Sequence, residues 1–180
     1  IGTGWRSEFY LRAAAACPDQ LQCVGMVSRN PDRPDHPGRA FGIPVYGSVE
    51  EMISAGNPLF TVTSVTWEAN PDTIKTLAEM SHPVLSETPP GETVEELNSL
   101  YALVVKGARI QVAEQYHLQP HHSARIEYAH QGKLGKITQA QVSAAHGYHG
   151  ISLIRRLLGI GFENAVVTGK TFTSPIVKTA

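Results

Sequence analysis

Gly2-Thr3-Gly4-Trp5-Arg6-Ser7 leads into an alanine-rich stretch, residues 5–17, whose apolar side chains recur at helical spacing and predict a helix. The six residues fit the pattern G-x-G-x-x-G/A, with serine in the third place. Gly2 permits a tight turn, and Gly4 leaves out a side chain that would obstruct a pyrophosphate. The free N–H groups and the positive end of the helix would then hold the phosphates. The stretch therefore predicts a dinucleotide-binding loop in which Gly2, Thr3, Gly4 and Trp5 contact the cofactor.

The residues that follow favour a binding loop over a plain glycine turn. Their β-branched and apolar content predicts strands at residues 21–27, 45–46, 59–66, 83–86 and 109–113. Helices are predicted at 38–41, 49–56, 70–80 and 92–106, and Ser48 and Glu51 have the spacing of a capping box. Parallel neighbours need crossover connections, so this alternation predicts an α/β fold with a doubly wound parallel sheet, a Rossmann domain, over residues 1–113.

Residues 114–180 show a different pattern. A helix is predicted at 121–131, a strand at 136–145, a helix at 150–158 and a strand at 165–169. These elements predict the beginning of a second, α+β domain. Because a Gly-rich phosphate loop follows a strand, we expect residues before Ile1, and the unfinished pattern at the other end predicts that the polypeptide continues.

The composition excludes several classes of partner. The 15 basic and 16 acidic residues form no run, which argues against nucleic acid and against an anionic membrane surface. No apolar stretch approaches the roughly 20 residues that cross a bilayer. Cys17 and Cys23 have no second pair or histidine at metal spacing and favour reduced thiols. We therefore expect a cytoplasmic protein with a small-molecule substrate.

Histidines are the next candidates for a site. Those that a metal could use are His117, His121, His122 and His146. We expect His121 and His122 to point apart on a helix, with no carboxylate or cysteine at ligand spacing. The sequence therefore predicts no metal, and these histidines are interpreted as pocket or surface residues.

Ser28-Arg29-Asn30 ends the second predicted strand, where an NAD enzyme usually presents Asp or Glu to the ribose hydroxyls. A guanidinium and a hydroxyl suit a ribose 2′-phosphate. Ser28 and Arg29 therefore predict NADP as the preferred cofactor, with NAD as the other possibility. In the alternative interpretation, Arg29 is a solvated loop residue or stacks on the adenine of either cofactor.

Ser86-Glu87-Thr88-Pro89-Pro90 closes the predicted strand at 83–86. It resembles the Glu-Lys-Pro turn beside the nicotinamide in the Gfo/Idh/MocA family, which includes glucose–fructose oxidoreductase and inositol dehydrogenase. Glu87 and Pro89 match, and Thr88 replaces the lysine. Residues 112–120 are similar to the family's crossing into its second domain, and residues 132–137 to the turn that opens the first strand there. The resemblance covers nearly the whole chain and implies a partial sequence.

The segment from His146 to Gly159 resembles the family's Asp-x-Gly-x-His followed by a helix that ends in Leu-Gly. His149 takes the place of the family's catalytic histidine, which exchanges a proton with a substrate hydroxyl. Gly147 also matches. Ala145 stands where the first aspartate would be, and Ser152 replaces a second one.

The resemblance implies an NAD(P)-dependent oxidoreductase that acts on a sugar, cyclitol or related hydroxy compound. The implied catalytic residues are His149, Glu87, Thr88 and Tyr116, and Glu87 and Pro89 also contact the cofactor. Residues 114–180 would begin a substrate domain through which the family forms oligomers. Two alternatives remain: a nucleotide-binding sensor without dehydrogenase activity, and a relative that uses tightly bound NAD for glycoside cleavage.

Overall fold

The computed structural model describes residues 1–144 and 146–175, and the chain divides into two compact units, Ile1–Gln115 and Tyr116–Ala180. Strands and helices alternate in the first unit. The strands are β1 (Met26–Val27), β2 (Val45–Tyr46), β3 (Thr61–Thr63), β4 (Val84–Ser86) and β5 (Ile110–Val112). The α-helices are α1 (Trp5–Ala16), α2 (Pro37–Ala40), α3 (Val49–Gly56), α4 (Asn70–Glu79) and α5 (Val94–Val105).

All of these strand pairs are parallel. β1 pairs with β2, and β3, β4 and β5 pair in that order. The backbone of Ile1 and Gly2 lies between the two groups: Ile1 N donates to Val62 O at 2.7 Å, and Gly2 N donates to Val27 O at 3.3 Å. The spatial order is therefore β2, β1, the Ile1–Gly2 segment, β3, β4 and β5. The predicted doubly wound parallel sheet is confirmed.

Four of the five strands are shorter than predicted, and the difference is largest in β1 and β3. β1 contains two of the seven residues predicted as strand, and β3 contains three of eight. In both cases the backbone bonding starts at a proline of the partner segment, because Met26 N donates to Pro44 O and Thr61 N to Pro83 O. A proline has no N–H to continue the ladder, so pairing begins there.

The core of the first unit lies between helices and the central strands. Ile74 and Leu77 of α4 are fully buried and pack with Val84 of β4 and Leu100 of α5. Side-chain caps fix the N-termini of α3 and α5. Thr93 and Glu96 form a capping box at α5. At α3 the Ser48 hydroxyl accepts the Glu51 N–H as predicted, but the Glu51 carboxylate accepts the Gly47 N–H, so only half of the predicted capping box forms.

The second unit is helical in the part that the structure describes. It contains a 3₁₀ turn at Tyr116–Leu118, α6 (Pro120–His130) and α7 (Gly147–Leu158), and α7 starts three residues earlier than predicted. The strands predicted at 136–145 and 165–169 are wrong for the described residues, and Ala145 lies outside them. An alternating pattern forms a strand only beside another strand, and no described segment of this unit supplies one. Over the described residues, no helix is long and apolar enough to cross a membrane.

The loop between β1 and α2 contains a buried histidine. His36 is 1% exposed, and its Nδ1 accepts the Gly38 N–H at 3.1 Å, which caps α2. Its buried Nε2 has no hydrogen-bond partner among the described residues. Burial, followed by the charges of Arg33 and Arg39, lowers the pKa of His36 below its ordinary 6.5.

Gly2→Ala tests whether the Ile1–Gly2 segment holds the sheet together. Gly2 has a φ of +118°, and a Cβ built there would lie 2.0 Å from Ser64 O, a backbone atom. We expect a loss of about 3 kcal/mol or more in the free energy of unfolding, measured by chemical denaturation. Gly169→Ala is the control, because an added Cβ there meets nothing within 4 Å. Equal stability of the two variants would contradict this account of the sheet.

His36→Asn tests the effect of the buried imidazole on stability. Because the pKa of His36 is lowered in the folded state, the unfolded chain takes up the proton first. The free energy of unfolding is therefore not reduced by His36 above pH 6.5. It decreases as the pH falls through 6.5 towards the lowered pKa of the folded state. Asparagine keeps a capping oxygen but does not titrate. We expect a smaller pH dependence of the unfolding free energy in His36→Asn; an unchanged slope would exclude His36 as its source.

Candidate functional site

The glycine loop leads directly into the N-terminus of α1. Gly4 is the N-cap, with φ −81° and ψ 178°, and no side chain caps the helix. A Cβ added at Gly4 would meet nothing within 4 Å, so the space over the loop is open. The first N–H groups of a helix have no partner within it and are suited to an anion. The fit to a dinucleotide pyrophosphate therefore rests on the donors and the open space at Gly4.

The side chains of the loop differ in exposure. Trp5 is 75% exposed, and the Arg6 guanidinium carbon lies 4.6 Å from the centre of its ring. Ser7, in the place of the third glycine, is buried, and no described group bonds its hydroxyl. Thr3 is partly exposed. The cofactor contacts of Thr3 and Trp5 stay predictions.

Ser28 and Arg29 lie where β1 ends. Ser28 N donates to Tyr46 O at 3.0 Å, and the Ser28 hydroxyl accepts the Asn30 N–H at 3.1 Å, which bends the chain away from the sheet. Arg29 is exposed. Because the strands are parallel, this turn lies at the same edge of the sheet as the glycine loop, the edge where ligands bind in open α/β folds.

Glu87 follows β4 at that edge, and its carboxylate is oriented towards α1. The Tyr10 hydroxyl donates to Glu87 Oε1 at 2.6 Å, and Arg6 Nε lies 3.5 Å from the same oxygen. Thr88 N donates to Glu87 Oε2 at 3.3 Å, and the Thr88–Pro89 peptide bond is cis. Burial, the hydrogen bond and the charge of Glu87 raise the pKa of Tyr10. Tyr10 therefore stays protonated and acts here as a donor.

Asn70 holds the turn after β4 through hydrogen bonds of its side-chain amide. Its Oδ1 accepts the Thr63 hydroxyl at 2.7 Å, and its Nδ2 donates to Ser86 Oγ at 2.9 Å and to Pro89 O at 3.1 Å. Asn70 is 3% exposed, so these bonds satisfy an amide that would otherwise be costly to bury. Sequence reasoning assigned Asn70 only to the start of α4. It also missed Arg6 and Tyr10, whose i, i+4 spacing indicates a shared helix face but not its partner.

The predicted residues of the second unit come together in an aromatic cluster. Tyr116 stacks on His149 with ring centres 3.9 Å apart and planes 3° apart, and Tyr148 lies against His149 at 4.5 Å with planes at 64°. His149 is 4% exposed. The stacking fixes the plane of the imidazole, which suits a group that exchanges a proton in one direction. The catalytic roles of His149 and Tyr116 stay predictions.

The expectation that the side chains of His121 and His122 point apart was wrong. The rings of His121 and His122 have centres 4.0 Å apart, because both residues lie in the first turn of α6 after Pro120 and not in the middle of a helix. Burial, His121 and Arg125 lower the pKa of His122. Within residues 1–144 and 146–175, no three His, Cys, Asp or Glu side chains form a group that could hold a metal ion.

A parallel sheet with a glycine loop before its first helix defines a Rossmann dinucleotide-binding protein. The family model described as "Oxidoreductase family, NAD-binding Rossmann fold" matches residues 1–116. The chain belongs to this family, Gfo/Idh/MocA, as its sequence indicates. No curated protein sequence matches it.

Solved structures share the fold. GenD2 from gentamicin A biosynthesis, in complex with NAD, has a TM-score of 0.74 at 17% identity and covers 88% of this chain and 52% of its own. A putative myo-inositol dehydrogenase from Sinorhizobium meliloti has a TM-score of 0.73 at 18% identity, and the match covers 88% of this chain and 54% of that protein. The WlbA dehydrogenase from Bordetella pertussis, in complex with NADH and UDP-GlcNAcA, has a TM-score of 0.67 at 23% identity, and the match covers 76% of this chain and 40% of that protein. The chain spans about half the length of these proteins or less.

Gly4→Ala tests the open space over the glycine loop. We expect the affinity for NAD(P)H to fall about tenfold or more, because a methyl group would occupy the space of the pyrophosphate. The variant should remain folded, since the added Cβ meets no atom within 4 Å and Gly4 has an ordinary φ of −81°. Nicotinamide fluorescence titration measures the affinity, and a thermal melt checks the folding. Unchanged affinity in a folded Gly4→Ala protein would contradict the assignment of the loop.

Proposed function

We propose that the protein is an NAD(P)-dependent oxidoreductase that transfers hydride between its cofactor and a hydroxyl-bearing carbon of a sugar, cyclitol or related compound. The observation that carries this proposal is the uncapped N-terminus of α1 behind an open glycine loop, at the carboxyl edge of a parallel sheet. It lies within the residues that match the oxidoreductase family. Residues 1–113 would bind the dinucleotide, and residues 114–180 would begin the domain for substrate and oligomer contacts.

The names of two similar structures support this substrate class. One similar structure holds UDP-GlcNAcA beside NADH, and another is named a putative myo-inositol dehydrogenase. Both names denote hydroxyl-rich ring compounds or their derivatives. We propose the same class for this protein, together with a homo-oligomer in the cytoplasm, in line with its family.

The nicotinamide, when bound, takes up or releases hydride at C4. In the oxidation direction, His149 would accept the proton of the substrate hydroxyl, and the carbon that bears this hydroxyl would become the carbonyl carbon of the product. Tyr116 holds the His149 ring by stacking on it. Thr88 supplies a hydroxyl where the family has an ammonium, and Glu87 holds the Thr88 N–H.

Loss of the family lysine at Thr88 and of the aspartate at Ala145 favours a second candidate, a nucleotide-binding sensor without turnover. Ala145 lies outside the described residues. Thr88→Lys separates the two candidates when hydride transfer is measured with a sugar and polyol panel. A native activity that falls in Thr88→Lys supports the enzyme, whereas an activity that arises only in the variant supports the sensor.

Arg29→Ala tests the preference for NADP. We expect wild type to bind NADPH more tightly than NADH, and the variant to lose about tenfold in that preference, because one charge-assisted bond to the 2′-phosphate is removed. Arg33→Ala is the matched control, since Arg33 is on the same loop and already pairs with Asp35 at 2.8 Å. Fluorescence titration with both dinucleotides measures the preference. If the ratio of the affinities for NADPH and NADH is the same in wild type and in Arg29→Ala, the argument for NADP is removed.

His149→Asn tests the proton transfer. The variant keeps a polar group of similar size but cannot accept and return a proton, so we expect hydride transfer to slow by a factor of about 100 or more. Binding of NAD(P)H should change less than about threefold, because binding is assigned to the first unit. Single-turnover kinetics and fluorescence titration measure the two quantities. A rate close to that of wild type would exclude His149 as the acid–base.

A further inference from the structure

The contact between Glu87 and α1 links two parts of the first unit that are far apart in sequence. Tyr10 and Glu87 are separated by 77 residues, and their hydrogen bond is short, at 2.6 Å. The Glu87 side chain is 13% exposed, and both of its oxygens are engaged, one by Tyr10 and Arg6 and the other by the Thr88 N–H. A carboxylate held in this way is suited to fixing a position and not to carrying protons.

Arg6 contacts two aromatic rings as well as Glu87. Its guanidinium carbon lies 4.6 Å from the ring centre of Trp5 and 5.5 Å from that of Phe9, while its Nε faces Glu87. The ring faces attract the guanidinium cation, and the opposite charge of Glu87 balances it. Arg6 and Tyr10 are four residues apart on α1, so both contacts lie on the same face of the helix.

The two ends of this contact have different neighbours. α1 begins at the glycine loop, where the proposed pyrophosphate lies, and Tyr10 is less than two turns further along the helix. Glu87 starts the turn of Thr88 and Pro89, which Asn70 also holds through Pro89 O at 3.1 Å. The contact therefore fixes the distance between the glycine loop and the turn after β4.

We propose that Tyr10 and Arg6 are positioning residues for the nicotinamide half of the bound dinucleotide. Through Glu87 they hold the Thr88-Pro89 turn at a set distance from the glycine loop, so that the nicotinamide meets a preformed surface. This inference rests on the proposed function. A purely structural role, which would only attach α1 to the sheet, predicts a different response to ligands that lack the nicotinamide.

Tyr10→Phe separates the two roles when the binding of two ligands is compared. One ligand is NADPH or NADH, whichever wild type prefers, and the other is the matching ADP-ribose or its 2′-phosphate, which lacks the nicotinamide. We expect the variant to bind the whole dinucleotide about fivefold to tenfold more weakly, because the turn after β4 loses one of the groups that hold it. Affinity for the fragment should stay within about twofold of wild type. Titration calorimetry measures both affinities without any turnover.

Tyr101→Phe is the control, because Tyr101 is 62% exposed on α5 and loses the same hydroxyl away from the sheet edge. Equal weakening of both ligands, or no change in either, would overturn the inference. Either of these results, with a wild-type protein that binds the dinucleotide, would overturn the inference alone. A wild-type protein that binds the fragment but not the dinucleotide would overturn the proposed function as well. A wild-type protein that binds neither ligand would overturn the proposed function and the inference with it.

Glu87→Gln keeps the test decisive if Tyr10→Phe fails to fold. Glutamine retains an oxygen for the Tyr10 hydroxyl but removes the charge that faces Arg6 at 3.5 Å. We expect the same selective loss of dinucleotide affinity, at about threefold or more. Unchanged affinity of Glu87→Gln for the dinucleotide would overturn the inference in that case.

Discussion

The first unit depends on the backbone of Ile1 and Gly2, which lies between β1 and β3. Ile1 bonds to Val62 and Ser64 on one side, and Gly2 bonds to Val27 on the other. Gly2 lies so close to the Ser64 carbonyl that no side chain fits there. The residue that completes the sheet is therefore also the first residue of the glycine loop. Any change that displaces Gly2 would move both the sheet and the start of α1.

At the carboxyl edge of the sheet, hydrogen bonds between polar groups of the protein hold the turn after β4 in place. Asn70 connects β3, β4 and the Pro89 turn, and Glu87 connects that turn to α1. Buried hydrogen bonds of this kind specify a geometry more than they add net stability, because each replaces a bond to water. The turn after β4, which would meet a dinucleotide, is thus held by groups of the protein itself before any ligand arrives.

Local features could be predicted from the sequence because their causes are local. The glycine loop, the cap at Ser48 and the alternation of strands and helices follow from residue types at short spacing. The partners of Glu87 could not be predicted, since Tyr10 is 77 residues away and a helix face does not indicate what it will contact. Strand lengths failed for a related reason: the partner strand sets where pairing starts, and Pro44 and Pro83 decide it. In the second unit, an alternating pattern without a neighbouring strand was not enough to predict one.

A crystal structure of the protein with NADPH or NADH tests the central claim most directly. The account predicts the pyrophosphate against the N–H groups at the start of α1, over Gly4, with the nicotinamide beside Thr88 and Pro89 and the adenosine ribose near Arg29. A dinucleotide bound elsewhere, or one whose nicotinamide lies away from the turn after β4, would contradict the assignment of this sheet edge as the cofactor site.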